Sequence, residues 1–539
     1  MQQNRNWLPH YIDAVPLEAR RKKTSMYVIA LEAWRRGITV KFYNHSNEGK
    51  LQIRYSLSYQ GREHHFQGSK GDLVSEEAYN ICDNKGLTND YLTKAGVPTP
   101  KGRRFGAEAT DEEVIEYSRT LVYPLVIKPT NGCAGKGVIA NIETEQEFIE
   151  ALTYVRQQLN FPEVIVERFV TGDEIRIYVL GDKVLGAANR RPANIVGDGI
   201  HTVQQLIRLK NKERKSIPHL YFRPIKLDRE VRQSIESAGY TLESIPKAGK
   251  RIYLRKISNV SAGGDPIDVT DQLTDEVKKI AVDAVKAVPG LAQCGVDMII
   301  DPSFKTGVIL ELNTKAGLGS HIYPIEGNAK DIPKAIIDYY FPETIEIKTE
   351  NSNVFFDFKS IIDSLQSRSV VEIEIAPPSP VTVKAKRFVI DGPFHVGFQN
   401  WLLKQAIANN LHGFVQKFNK QDVEVVVAGK TVEDVEAFKQ HLIQSTAFGR
   451  IEISVEEEYS KPVKKGFELV NKFNIMTLEH LEDELTMMKK EYAQLEKEKN
   501  RFERRMREIR KSRTWKLTMP IRKVAMVLRS ILKPKTAKM

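Results

Sequence analysis

Three cysteines in 539 residues, Cys82, Cys133 and Cys294, are too few and too scattered for a disulfide framework or a cysteine-rich zinc site. Each is most simply a small apolar filler. No apolar run reaches the roughly 20 residues a membrane-spanning helix needs, and no low-complexity tract interrupts the chain. The N-terminal MQQNRNWLPHYID lacks a signal-peptide apolar core, so a cytoplasmic location is expected. The body also lacks net charge. Of the overall +12, the segment from Lys499 to Met539 carries +13, with 15 Lys+Arg against Glu503 and Glu508, which leaves about −1 for the other 498 residues. Nucleic-acid binding by the folded body is therefore not expected.

What is present is length, enough for three or four compact units. Residues 1–80 predict a small α/β unit, with SMYVIALEAWRRG helical and ITVKFYN and KLQIRYSLSYQ as strands. Mixed strands and helices follow over 81–345, then a bridge over 346–385 that ends at the prolines of IEIAPPSPV. From 386 a strand, helix, two strands, helix and strand predict a compact α/β sandwich, with the unit closing at 470. Over 476–511, Leu478, Leu481, Leu485, Met488, Tyr492, Leu495, Lys499, Phe502, Met506 and Ile509 alternate at spacings of three and four. That seam predicts a coiled coil and self-association. A basic amphipathic tail occupies 512–539.

The stretch YPLVIKPTNGCAGKGVIANI, 123–142, sets a glycine loop between two apolar runs. A Walker A loop needs Gly-x4-Gly-Lys-Ser/Thr, and this one fails at Thr130 and at Gly137. A dinucleotide turn must open a helix, whereas VIANI is strand-like. What remains is a flexible hairpin able to fold over a nucleotide. Lys128 is a fixed cation on its first strand, and Gly132, Gly135 and Gly137 let backbone N–H groups approach phosphate oxygens.

Three further stretches supply partners. In VIVERFVTGDEIRIYVL a strand ends at Glu167, runs through Phe169 and Val170, and turns at Gly172 before Glu174. Such a connection offers backbone groups to an adenine edge and Glu174 to ribose hydroxyls. CGVDMIID sets Asp297 in an apolar strand. In GVILELN, Glu311 and Asn313 share one strand face, with Val308, Leu310 and Leu312 expected on the other. Together they make an all-oxygen cluster of the kind Mg²⁺ bridging nucleotide phosphates requires.

These motifs, with DNKGLT, AANRRPANIVGDGIHTVQQLI, YLRKISNVSAGGDPIDVTD and ELNTKAGLGSH, occur in an order that resembles the ATP-grasp ligases, in particular the ligase half of cyanophycin synthetase and glutathione-synthetase-like enzymes, over roughly 80–330. The resemblance implies an ATP-grasp fold and an ADP-forming carboxylate–amine ligase that joins an amino-acid or peptide substrate through an acyl phosphate. It puts Lys85 and Lys128 on ATP phosphates, Glu167, Phe169 and Val170 at the adenine, Glu174 on the ribose, and Mg²⁺ on Asp297, Glu311 and Asn313. It further implies that Arg255 and Asn259 hold the transferred phosphate and carboxyl group. Arg176 and Arg191 would face the acyl substrate, and the Gly317 N–H would support the oxyanion. Lys315 departs from the proline that relatives often carry there, so substrate detail differs.

The segment RFVIDGPFHVGFQNWLLKQAIANNLHGFVQKFN resembles acylphosphatase, a ferredoxin-like α/β sandwich. That family needs an arginine and an asparagine where this chain has Gln399 and Lys417, which implies a non-catalytic copy. In the tail, Ile521, Val524, Ala525, Leu528, Ile531 and Leu532 fall at helical spacing beside Arg522, Lys523, Arg529 and Lys533. An anionic membrane surface at the inner face of the cell membrane, or an envelope-assembly partner, is the expected contact. The rival readings are a nucleotide-binding scaffold without turnover, and phosphoryl transfer to a hydroxyl.

Overall fold

The computed structural model describes residues 5–47, 50–130, 137–255, 258–350, 352–378, 383–391, 396–417, 422–444 and 451–470, with Glu496, Asn500 and Arg504 as isolated helical positions. All ten residues of the coiled-coil seam lie outside the described residues, as do the tail, Gly132, Cys133, Gly135 and Lys136. Among the described residues no helix is long and apolar enough to cross a membrane.

The N-terminal helix, Thr24–Arg35, is predominantly apolar and buried at every position, Glu32 and Arg35 included. A helix of that composition needs cover all round. One side is a five-stranded sheet in the order Glu372–Ile375, Thr39–Asn47, Lys50–Tyr59, Arg62–Gln67, Lys70–Gly71. Its polar groups are met from the far end of the 346–385 stretch and nearby: Trp34 Nε1 donates to the Ala376 carbonyl at 2.9 Å and Arg35 Nε to Val354 at 3.0 Å. Thr349 Oγ1 donates to Glu32 at 2.8 Å. The stretch expected as a bridge thus contributes an edge strand to the N-terminal sheet. It also brings Phe356 and Phe358 against Tyr27 and Phe42.

Two sheets follow. The first runs Gly102–Phe105, Val164–Arg168, Leu125–Pro129, Ile139–Ile142, so the runs flanking the glycine loop pair antiparallel as a hairpin. Leu125, Ile127, Val164 and Val166 pack beneath the helices Asp111–Thr120 and Glu145–Thr153, which leaves Lys128 and Glu167 on the opposite face. The second sheet, antiparallel throughout, is Asp265–Asp268, Lys183–Arg191, Asp173–Leu180, Gln293–Ile300, Gly307–Asn313. Ile175, Ile177, Val296 and Met298 bury one face against the helix Asp275–Lys286, in a core that also takes Cys82 and Cys294.

One expected face assignment is corrected. Ile309 and Leu312 enter that core, whereas Val308 and Leu310 are only half-buried. The register shifts between Asp297 and Met298, so Leu310 is the extra residue of a bulge and the alternation reverses across it. The bulge nonetheless keeps Glu311 directly opposite Asp297.

The C-terminal unit has the expected order. The helices Val396–Ala408 and Val432–Gln444 accompany a sheet ordered Glu452–Glu458, Lys384–Asp391, Asp422–Gly429, His412–Lys417, Phe467–Val470. Val426, Ala428 and Val463 join the core of the N-terminal unit.

Candidate functional site

Period two puts Glu174 and Arg176, Arg190, Asp297, Glu311 and Asn313 on the face of the second sheet away from its helix. Arg176, Asp297 and Glu311 form one row across three strands, because each pairs in register with the next. Gly295, two residues before Asp297, has no side chain where a Cβ would collide with Ala316, and this lets the loop after Asn313 lie on the sheet.

The row is electrostatically tight. Arg176 binds Asp297 in bidentate fashion, Nε to Oδ1 at 2.7 Å and Nη2 to Oδ2 at 2.6 Å. Arg190 adds contacts at 3.0 and 3.2 Å and holds Glu174 at 2.5 Å. Burial pushes the Asp297 carboxyl up, but Arg176 and Arg190 outweigh it and hold it below its usual range. For Glu174 burial wins, and its carboxyl is raised. Lys85, the first residue of the helix Lys85–Lys94, donates to Glu311 at 3.1 Å. On the first sheet Lys128 and Glu167, both buried, pair at 2.7 Å.

The remaining expected residues are placed as follows. The Phe169 amide donates to the Pro124 carbonyl at 2.9 Å, and Val170 is half-buried beside it. Gly137 closes the loop with φ +78°. Asn313 Oδ1 accepts from the Lys315 amide at 3.0 Å. The Lys315 ammonium sits 4.2 Å over the Tyr79 ring, which also takes Lys70 at 4.9 Å. Burial, then Lys70 and Arg54, lower its pKa. A Cβ at Gly317 would meet open space. Arg255 is held by Asp228 and Glu230, and Asn259 caps the turn Val260–Ala262 through Ser261. Among the described residues neither shares a hydrogen bond or ion pair with the carboxylate row. Arg191 binds Glu326 at 2.6 Å, not the row. Gln399 lies in the helix Val396–Ala408, and Lys417 ends the strand His412–Lys417.

Arg190, not Arg191, is the arginine that reaches the acids. Ala187 packs in the core, so strand alternation alone assigns 188 and 190 to the other face. Two buried histidines also escaped notice. His219 meets Ser320 Oγ at 3.1 Å. Burial, with Arg176 and Arg190, pushes His321 down to about 3, so its ring is neutral. No periodicity singles out either ring; only tertiary packing does.

Asp297, Glu311 and Asn313 offer two carboxylates and an amide on one face, a hard-oxygen set whose chemistry suits Mg²⁺. Among the described residues no group of three or more His, Cys, Asp or Glu is gathered closely enough to hold a metal, so the amide is needed as a third donor.

Residues 82–198 match the RimK-like ATP-grasp domain and residues 387–469 match acylphosphatase. The chain is 34% identical over 325 residues to cyanophycin synthetase of Nostoc sp. (strain PCC 7120), covering 59% of this chain and 35% of that protein. It is 31% identical over 327 residues to the glutathione biosynthesis bifunctional protein GshAB of Clostridium perfringens, covering 59% and 41%. Among solved structures, the bifunctional glutathione synthetase from Pasteurella multocida aligns with TM-score 0.43 and 29% identity, over 54% of this chain and 40% of that one. The chain thus spans roughly two fifths of the length of these relatives.

Proposed function

From a chain that carries an ATP-grasp domain of the RimK-like kind and, after it, an acylphosphatase-like domain, we propose an ATP-dependent carboxylate–amine ligase. The observation that carries this reading is the row of Glu311, Asp297 and Arg176, with Lys85 at its Glu311 end. It collects acids and cations on a polar sheet face, which is what phosphoryl transfer to a carboxylate needs.

Lys128 and Lys85 bind and orient the ATP phosphates, releasing Glu167 and Glu311 from the pairs they make now. Glu167, Phe169 and Val170 line the adenine, and Glu174 faces the ribose. Asp297, Glu311 and Asn313 are the residues that would hold Mg²⁺. When bound, it neutralises phosphate charge. Arg176 and Arg190 keep Asp297 ionised and fixed in direction, so this carboxylate neither needs deprotonating nor reorients. Arg255 and Asn259 hold the transferred group, and the Gly317 N–H supports the oxyanion of the acyl phosphate as an amine attacks. Lys315 and Arg191 face the substrate. The hairpin around Gly137 excludes water, which protects the acyl phosphate from hydrolysis. Gln399 and Lys417 leave the acylphosphatase-like unit without the arginine and asparagine its chemistry requires, so it serves in docking or packing.

The test is an ADP-release screen over amino acids and short peptides with Mg²⁺, with Glu311→Gln as blank. Amine-dependent ADP formation supports ligation; silence across the panel supports the nucleotide-binding scaffold. We extend the proposal to self-association through 476–511 and to an anionic membrane surface or envelope-assembly partner through 512–539. Flotation with anionic liposomes that is equal with and without residues 512–539 would sink the membrane part.

A further inference from the structure

The N-terminal sheet buries Phe42, Tyr55 and Phe66 on its helix side, so alternation turns their neighbours to the other face. Tyr43 pairs with Arg54 on that face. Tyr55 opposite Phe66 sets Arg54 beside Gln67, and Gln67 pairs with Lys70. Arg54, Gln67 and Lys70 therefore form one row across three strands. Gln67 is fixed in it by Gln52, Nε2 to Oε1 at 2.6 Å. Arg54 is half-buried, and its Nε is shielded from solvent with no hydrogen-bond partner among the described residues. A buried donor left unpaired is costly.

The edge of this row is stitched to the loop after Asn313. Ser69 Oγ donates to the Ala316 carbonyl at 2.7 Å, and the Ser69 carbonyl accepts from Gln293. Lys70 follows Ser69 and Lys315 precedes Ala316, so the same stitch brings two ammonium groups together. Both lie against the Tyr79 ring, Lys315 at 4.2 Å from its centroid and Lys70 at 4.9 Å. Among the described residues Lys315 has no ion pair, and Lys70, itself buried, has Glu76 at 2.8 Å. The Glu76 side chain is 81% exposed, so it can swing away at little cost.

Three cations against one acid leave a charge of +2 at this place. A phosphate group at neutral pH carries about −1.5 to −2, whereas a carboxylate carries half of that. The group is separate from the lysines assigned to ATP. Lys85 stands on Glu311 and Lys128 on Glu167, and neither touches Arg54, Lys70 or Lys315 in any hydrogen bond or ion pair among the described residues.

We propose that Arg54, Lys70 and Lys315 bind a phosphate group that does not belong to ATP, with Glu76 as the internal anion that it displaces from Lys70. Two sources carry that chemistry: inorganic phosphate released in the reaction, and a phosphate borne by a substrate away from its reacting group. The anion site stands on the geometry alone; its place in turnover rests on the ligase reading.

The test uses the full chain and three probes, inorganic phosphate, O-phosphoserine and succinate, each against chloride at constant ionic strength. Phosphate raises the thermal midpoint of the wild type. Lys70→Gln and Lys315→Gln each weaken its binding about tenfold or more, the worth of a charge-assisted hydrogen bond, while Lys128→Gln does not. Glu76→Gln tightens it about threefold, because Lys70 is released from a surface ion pair. Lys315→Gln removes no ion pair among the described residues, so it keeps the test open if Lys70→Gln does not fold. Equal responses in wild type and Lys315→Gln would overturn the site, as would weaker binding in Glu76→Gln. Loss confined to Lys128→Gln would place the anion among the ATP groups and overturn it too. Succinate binding as tight as phosphate would overturn the phosphate class. O-phosphoserine bound through the same lysines, and a phosphorylated amino acid preferred about tenfold in KM over its parent, identify the substrate as the source. Phosphate bound there without that preference identifies the released product. A phosphate site with no ADP release on any panel member defeats the ligase reading alone. Amine-dependent turnover with no phosphate response at Lys70 and Lys315 defeats the site alone.

Discussion

Replacing Asp297 by asparagine removes the buried carboxylate shared by two half-buried arginines, Arg176 and Arg190. Breaking a buried ion pair from one side costs about 3–5 kcal/mol, because the other charge stays behind without a partner. Here Arg190 keeps Glu174 at 2.5 Å, so only Arg176 is stranded, and the loss falls near the lower bound, about 3 kcal/mol. The site sits in the middle of a sheet, so the readout is hydrogen exchange in peptides covering 173–180 and 293–300. A loss of that size speeds exchange about 100-fold where opening is sheet-wide. Acidity gives a second arm. The folded Asp297 pKa is depressed, so its contribution is complete above the unfolded value of about 4 and is lost as pH falls through the folded value below it. Wild-type protection in these peptides therefore falls below about pH 4, and Asp297→Asn removes that part of the dependence. Arg176→Met combined with Asp297→Leu recovers most of the loss, since apolar replacement of a buried pair is often neutral. An exchange change under about threefold in Asp297→Asn, or acid dependence equal to wild type, would refute the account.

Glu311→Gln loses amine-dependent ADP release by about 100-fold or more while stability changes by less than about 1 kcal/mol, because its side chain is 39% exposed and its one ion pair among the described residues, with Lys85, is partly solvated. Parallel activity and melting curves check both halves. Gly319→Ala pushes a methyl group into the His219 ring, which Ser320 and Arg223 hold in place, and overpacking of this kind costs about 1–3 kcal/mol; a melting midpoint equal to wild type would contradict it. Phe356→Ala empties a buried ring site against Tyr27, Trp34 and Phe42 and costs about 3–5 kcal/mol, read as an earlier Trp34 fluorescence transition in urea. Acetyl phosphate is not hydrolysed above the buffer rate by Glu311→Gln protein, since Gln399 and Lys417 replace the required pair; a steady rate would restore catalysis to the C-terminal unit.

Legibility followed the range of the interactions. The buried helix from Thr24, the two strands after it and the strand–loop–strand around Lys128 were readable because each rests on local periodicity. Asp297 opposite Glu311 was implied by two short motifs, yet the bulge that secures it was invisible, because one extra residue opposite a partner strand leaves no local trace. That bulge is also why Val308 and Leu310 were assigned to the wrong face. The 346–385 stretch looked like a connector because its prolines punctuate it, while its function in closing the N-terminal sheet depends on Trp34 and Arg35 more than 300 residues earlier. Arg190 was within reach of simple alternation along its strand.

The charge pattern of the site explains why it is assembled from several parts of the chain. Each acid of the polar faces already has a cation: Asp297 has Arg176 and Arg190, Glu174 has Arg190, Glu311 has Lys85 and Glu167 has Lys128. These acids are therefore neutralised within the protein, and ligand binding there must exchange partners rather than fill a vacancy. Two cation groups lie outside that balance. Among the described residues, Lys315 and Lys70 share the Tyr79 ring with only the exposed Glu76 on Lys70, and Arg223 lies against the His219 ring without an ion pair. The first group combines a residue of the first 80 with one from the central region. Lys70 is carried by the edge strand whose neighbour Ser69 donates to the Ala316 carbonyl at 2.7 Å. An N-terminal unit that only packed would gain nothing from bringing Lys70 onto the ring that Lys315 already covers, where the two ammonium groups repel. Its placement makes sense if the Lys70 and Lys315 pair receives an anionic part of a ligand beside the row of acids.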